Sequence, residues 1–260
     1  MGIVGRLDQY ASMLSYEFDE TTANNMSITG VGTYYASEFN ENIIDIVRDG
    51  LVLNLDAGNL SSYSGSGTTW TDVSSNGNNG TLTGGPTYSS ANGGSIVFDG
   101  TDDFIDFTSD SNLLPTAGLT VSAWIKTTVA DRWIVTKTSS STVNGYALNV
   151  SGAGLAGFAV NNAGASTSAV ITTGAWINLV GTWTPSTSIR MYRNGVLDST
   201  NTTSIPASII EPSYTIEIGR RPNGPDYLNG NIAQVSIYNR ALTASEVSQN
   251  FNALRGRFNI

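Results

Sequence analysis

From Gly50 onward the chain repeats one pattern: a short run of alternating apolar and polar side chains, then a cluster of Gly, Asn, Ser or Pro. Leu51–Asp56 begins the series, followed by Thr69–Val73, Ser95–Asp99, Phe104–Phe107, Leu119–Lys126, Trp133–Lys137 and Tyr146–Val150. Leu155–Val160, Trp176–Thr184, Ile189–Tyr192, Tyr214–Ile218 and Ile232–Tyr238 continue it. Successive side chains of a strand point to opposite faces, so each run offers one apolar face, and the same spacing would scatter those residues around a helix. The separators, among them 75–80, Gly84-Gly85-Pro86, Asn144-Gly145 and 222–225, are turn chemistry. Strand signals every eight to twelve or so residues predict about a dozen strands in two layers, closing on one core.

The polar composition narrows what such a core can serve. There are 21 acidic against 12 basic residues, a net charge of −9, and no basic cluster, so a phosphate backbone is repelled and nucleic acid is not an expected partner. With no Cys and no His, thiolate and imidazole chemistry is excluded. Carboxylates, amides and carbonyls remain, which are ligands for a hard cation such as calcium. No apolar run approaches the roughly 20 residues that span a bilayer, so no membrane contact is expected. Acidic residues interrupt the stretch after Arg6, so no secretory signal is read there.

Residues 1–49 differ from the rest. Ile3, Val4, Leu7, Tyr10, Ala11 and Leu14 recur at helical spacing, Ser27–Tyr35 is extended in character, and Ile43, Ile44, Ile46 and Val47 form a second short helical stripe ahead of Gly50. Two readings stand: the segment packs across the sandwich, or it is an arm. The arm reading makes Leu7, Tyr10, Leu14, Tyr34, Tyr35 and Phe39 contacts to other copies of the chain or to a larger assembly. At the other end, Thr243 and Glu246 have capping-box spacing, predicting a helix to about Leu254 with Val247, Phe251 and Leu254 on the face that covers an edge or end of the sandwich.

Alternation also assigns candidate sites. Trp124 shares a face with Thr120 and Ser122, and Arg190 and Tyr192 share the other side from Ile189 and Met191. These three could line a glycan platform, or Trp124 could be covered by a crossing segment. Asp56, Asp72, Asn78, Asp99 and Asp102 are the candidate calcium ligands; side chains bonding their own backbone in Asx turns explain the same residues. Glycosidases need two carboxylates about 5 to 9.5 Å apart. Glu211 and Glu217 are separated by Pro212, and Asp102, Asp103 and Asp106 lie at a turn and strand start. No Gly-x-Ser-x-Gly elbow or phosphate loop appears, so no catalytic residue is assigned.

Several segments occur in the order of a known family. They are 50–57, Trp70-Thr71-Asp72 with 76–82, 97–104, 119–125, Trp176 with Thr182-Trp183, Tyr192-Arg193-Asn194-Gly195, Ile218-Gly219-Arg220 and the ending from Gly230 to Glu246. From Gly50 to about Leu254 the chain resembles the laminin-G-like, concanavalin A-type jelly-roll family of lectins and glucanases. The resemblance implies an all-β fold, a two-layer antiparallel jelly-roll sandwich over 50–260 with an N-terminal arm over 1–49 and a short C-terminal helix. It also implies glycan or protein binding, sometimes with calcium. The Glu-x-Asp-x-Glu strand of the related glucanases is missing, which sets hydrolysis aside. The arm, the single sandwich and Val31–Phe39 resemble structural proteins of tailed bacteriophages, particularly marine and cyanophage types. The expectation is a non-enzymatic virion component, made in the host cytoplasm, serving as capsid decoration, head fibre or tail protein. Its partners would be other virion proteins, copies of itself and a surface glycan. The competing readings are a carbohydrate-binding or adhesion module of a bacterial surface protein, and a glucanase-like hydrolase.

Overall fold

A computed structural model describes residues 45–108, 113–130, 132–138, 144–222 and 224–260. The first expected helix, the run Ser27–Tyr35 and the docking candidates Leu7, Tyr10, Leu14, Tyr34, Tyr35 and Phe39 lie outside the described residues.

The described chain forms β1 (Leu51–Asp56), β2 (Thr69–Trp70), β3 (Gly80–Thr83), β4 (Thr87–Ser89), β5 (Ser95–Asp99), β6 (Phe104–Asp106), β7 (Leu119–Thr127) and β8 (Arg132–Lys137). It continues with β9 (Tyr146–Val150), β10 (Ala156–Val160), β11 (Ala163–Ser166), β12 (Ile177–Thr184), β13 (Ser188–Arg193), β14 (Val196–Asn201), β15 (Glu217–Ile218), β16 (Asn229–Tyr238) and helix α1 (Ala244–Leu254). The first sheet runs β14-β13-β12-β7-β16-β5-β4 with β1 also on β16, and the second runs β11-β10-β9-β8-β15-β6-β3-β2. Both are antiparallel, as a jelly-roll sandwich requires.

Alternation places the core as the sequence indicates. Leu119, Val121, Ala123 and Ile125 of β7 join Tyr146, Leu148 and Val150 of β9 and Phe158 of β10 in one buried cluster between the sheets. The sheets approach so closely that a Cβ at Gly181 of β12 would overlap the Phe158 ring. The turn Asn194-Gly195 has both residues at positive φ (49° and 76°), the hairpin geometry that matches strand twist between β13 and β14.

Two strand edges are closed by side chains. Among the described residues no strand pairs with the free side of β1, and the loop after β2 takes that place. The Asn54 N–H donates to Asp72 Oδ1 (2.9 Å), Val73 N–H to the Asn54 carbonyl (3.0 Å), Asn78 Nδ2 to the Val52 carbonyl (2.7 Å) and Asn76 Nδ2 to the Leu51 carbonyl (3.1 Å). Asp72 Oδ2 in turn accepts from Asn78 N–H (3.0 Å) and Ser74 Oγ (2.8 Å). At the other end of the sheet, Tyr192 pairs with Leu197 and Met191 with Ser199, so Asp198 is an extra residue that bulges edge strand β14. Its carboxylate accepts the Ser168 N–H and pairs with Arg193 (3.3 Å), a bulge with an inward charge that blunts edge-to-edge association.

The capping box forms as expected, with Glu246 N–H donating to Thr243 Oγ1 and Thr243 N–H to Glu246 Oε2. The position of α1 differs from expectation: it lies across the outer face of the first sheet, not at an edge or end. Trp124 of β7 stacks on Phe251 (centroids 5.5 Å apart, 10° between planes) and on Phe258 in the short 3-10 turn after the helix (4.2 Å, 17°). Val247, Leu242, Tyr192, Val180, Tyr238, Leu51 and Ile46 form a second cluster on this face. The stripe containing Ile46 and Val47 is not helical over its described part, Asp45–Arg48. The Val47 peptide groups bond to Asn250 and Tyr238 rather than to neighbours one turn away.

Two expected outcomes follow. Asp72→Ala leaves the Asn54 and Asn78 N–H groups unmatched at a buried edge and lowers stability by about 2 to 3 kcal/mol in urea unfolding. The Glu246 carboxyl is held down at about 2, chiefly by the hydrogen bonds from Arg240 and further by those from Thr243. A depressed carboxyl contributes stability above its ordinary pKa of 4.5 and loses it as pH falls through about 2. The gap in melting temperature between the unaltered chain and Glu246→Gln therefore narrows across that window.

Candidate functional site

With α1 lying across the outer face of the first sheet, the outer face of the second sheet is the candidate surface. A bulge decides which residues reach it. Trp133 pairs with Asn149 and Val135 with Leu148, so Ile134 is an extra residue, and Ile134 and Val135 both enter the core. Trp133 and Thr136 are left facing away from the core, Trp133 half-buried and Thr136 fully buried beneath the Arg220 carbonyl, to which its hydroxyl donates (2.7 Å). One register row across this face reads Trp133, Asn149, Gly157 and Ser166, and the next reads Thr136, Ala147, Ala159 and Gly164. Ala147 is itself covered, so the accessible floor is Asn149, Gly157, Ala159, Gly164 and Ser166, nothing larger than Asn, bordered by the half-buried Trp133 indole.

The other half of the face is occupied by an ion-pair knot. Arg220 forms a forked pair with Glu217 (2.7 Å from both Nε and Nη2), rests over the Phe104 ring (3.5 Å) and donates to Tyr227 Oη (3.3 Å). The Glu217 hydrogen bonds raise the Arg220 pKa above its ordinary value, so the guanidinium stays charged. Arg221 lies over Trp133 (5.3 Å) and pairs with Asp226 (2.9 Å). Glu217 is also the register partner of Asp106, which sets two carboxylate side chains side by side on this face. Asp106 accepts the Phe107 N–H (2.9 Å).

The glycan candidates from the sequence do share a face, because β7 and β13 lie in one sheet, but it is the covered one. Trp124 and Tyr192 are each 1% exposed, under Phe251 and Phe258 and under the Val247 cluster respectively, and offer no ring to a sugar. Arg190 stays partly exposed, in the row of Thr182 and Thr200.

The calcium candidates separate. Asp56 pairs with Arg257 (2.7 Å) and accepts the Gly58 N–H (2.8 Å), while Asp72 and Asn78 close the β1 edge, so these three are not brought to one centre. Asp99 and Asp102 do come together, with Asp103, their carboxylate oxygens within 4.8 Å of one another. Asp103 is 3% exposed, and burial pushes its pKa up, with the neighbouring Asp99 and Asp102 charges adding to the effect. Its Oδ2 accepts the Asp99 N–H (2.9 Å), while Asp99 Oδ1 accepts the Thr101 N–H (2.7 Å). The donor set is of the hard-oxygen kind that calcium takes, though a complete shell needs further oxygens.

Sequence reasoning missed Trp133, Asn149, Phe104, Tyr227 and the Arg220–Glu217 pair. The Ile134 bulge breaks strict alternation beside Trp133, and the pairing of β15 with β6 joins residues more than a hundred positions apart.

A family model described as the concanavalin A-like lectin/glucanases superfamily matches residues 99–248, more than half of the chain. No curated protein gives a match. Among solved structures, the binding domain of Paraclostridial Mosquitocidal Protein 1 superposes with a TM-score of 0.64 at 17% identity, covering 79% of this chain and 52% of that one. The binding domain of botulinum neurotoxin DC in complex with rat synaptotagmin II gives 0.61 at 15% identity, with 80% and 52% covered. Domain 4 of AbnA, a GH43 extracellular arabinanase from Geobacillus stearothermophilus, in complex with arabinotriose, gives 0.59 at 18% identity, with 77% and 97% covered. This chain spans about half the length of the two toxin domains and nearly all of the arabinanase domain. At these identities the likeness is one of fold.

Since Trp124 is a structural ring, Trp124→Ala is expected to cost about 3 to 5 kcal/mol in urea unfolding through the cavity it leaves against Phe251 and Phe258.

Proposed function

Because the chain belongs to the concanavalin A-like lectin/glucanases superfamily, we propose that it is a non-enzymatic structural protein of a tailed-bacteriophage virion, displaying a glycan-binding sandwich as capsid decoration, head fibre or tail component. The observation that carries the binding part is the small-residue floor of the second sheet beside Trp133, on the side of the sandwich away from α1. Small side chains let a flat sugar ring reach the sheet, the indole offers a stacking face, and Asn149 and Ser166 offer hydroxyl partners. The virion part rests on the likeness of Val31–Phe39 to phage structural proteins and on the 44 residues ahead of Asp45 as an attachment to other virion proteins or to further copies of the chain.

The non-catalytic reading is supported by the state of the two carboxylates that share the open face. Glycoside hydrolysis needs one carboxyl as an acid and the other as nucleophile or base. Here Glu217 is committed to the forked pair with Arg220. Calcium, in this reading, belongs at the turn of Asp99, Asp102 and Asp103, where it would neutralise three adjacent carboxylates. A second reading, an adhesion module of a bacterial surface protein, is favoured by the arabinanase domain, whose structure holds arabinotriose and 97% of which this chain covers.

Mass spectrometry of intact phage particles is expected to find the protein in stoichiometric amount; its absence from particles would sink the virion reading. On a glycan array with calcium, the protein is expected to bind, and Ala159→Trp, which fills the floor, to weaken that binding by about tenfold or more without lowering the melting temperature. A blank array with calcium present reduces the sandwich to architecture.

A further inference from the structure

Residues 45–50 are held on the covered face by contacts spread over three elements. The Val47 N–H donates to Asn250 Oδ1 (2.8 Å), and its carbonyl accepts from Tyr238 Oη (3.0 Å), which itself accepts from Asn250 Nδ2 (2.9 Å). Gln249 Nε2 donates to the Asp45 carbonyl (2.9 Å), and Asn239 N–H to the Gly50 carbonyl (2.8 Å). Arg240 pairs with Asp49 (2.9 Å) while it grips Glu246 (2.7 Å). Between these polar ties Ile46 is buried against Val180, Tyr192, Tyr238, Leu242 and Val247. Both peptide groups of Val47 are thus matched by side chains that are themselves fixed by packing, which burial makes costly to break.

We infer that residues 45–50 are a rigid strap that fixes the place and direction at which the chain enters the sandwich, on the outer side of the first sheet and away from the outer face of the second. Asp45 lies beside α1 on the outer side of the first sheet, and the small-residue floor lies on the outer side of the second, with the core between them. A flexible tether would let the floor turn toward its own support, whereas the strap removes that freedom at the residues nearest the sandwich. The purpose assigned to the strap rests on the display reading above, but its rigidity does not.

The absence of Cys makes the test direct, because two introduced cysteines take label uniquely. Arg48→Cys on the strap and Ser166→Cys on the floor, both at exposed positions, carry spin labels in the full chain for electron–electron distance measurement. The expected result is one narrow distance distribution, broadening severalfold when Tyr238→Phe and Asn250→Ala are added. Hydrogen exchange at the Val47 amide is expected to run at least about a hundredfold slower than in an unfolded peptide and to lose that protection in the same variants. Protection at Leu53 and Val235 in the same spectra reports that the sandwich remains folded. If Asn250→Ala unfolds it, Tyr238→Phe alone, which removes only the hydroxyl, is read. A broad distribution in the labelled chain without further change, or an equally narrow one after both strap substitutions, overturns the inference. A narrow distribution in a protein that binds no glycan and joins no particle supports the strap and removes the display reading.

Discussion

The stack of Trp124 with Phe251 and Phe258 decides which side of the sandwich is closed. A two-layer sandwich has two outer faces, and nothing in the core itself distinguishes them. Three rings in register draw the C-terminal helix and the turn after it onto the first sheet, and the Asp56–Arg257 pair ties that turn to the end of β1. Once the helix is there, Tyr238, Leu242 and Val247 form a surface on which Ile46 can bury. The strap and the exposed floor of the opposite sheet are both consequences of that single docking event.

The acidic and amide side chains serve the backbone first. A sheet edge leaves donors and acceptors unmatched, and buried ones are costly. Asp72, Asn76 and Asn78 meet that need along β1, and Asp198 does the related task of ending the pairing at β14. Residue types that invite a metal interpretation in the sequence are here satisfied by N–H groups and carbonyls. The turn of Asp99, Asp102 and Asp103 differs, because its charges face one another and burial pushes up the pKa of one of them.

The open face has a division of labour across its width. On the β6 and β15 side, a forked Arg–Glu pair resting on an aromatic ring builds a fixed wall, and toward β10 and β11 Asn149, Gly157, Ala159, Gly164 and Ser166 leave the sheet accessible. The Trp133 indole lies at the border, held against Arg221. A rigid wall beside a shallow floor holds its shape without a ligand, which lowers the ordering cost of binding.

Period-two alternation by itself determined the all-β class and the two opposed faces of β7 and of β13, because side-chain direction along a strand is a local property. The capping box of α1 was equally legible, since it needs only Thr243 and Glu246 at fixed spacing. Which outer face receives the helix, and hence whether Trp124 is a binding ring or a packing ring, depends on contacts between residues more than a hundred positions apart. The meeting of Asp106 with Glu217 is of the same kind, while the Ile134 bulge and the capture of β1's free edge by the loop around Asp72 join residues closer in sequence through pairings that alternation does not encode. A strand's pattern says which side chains lie together on one side of it, but only the assembled sheets say what that side faces.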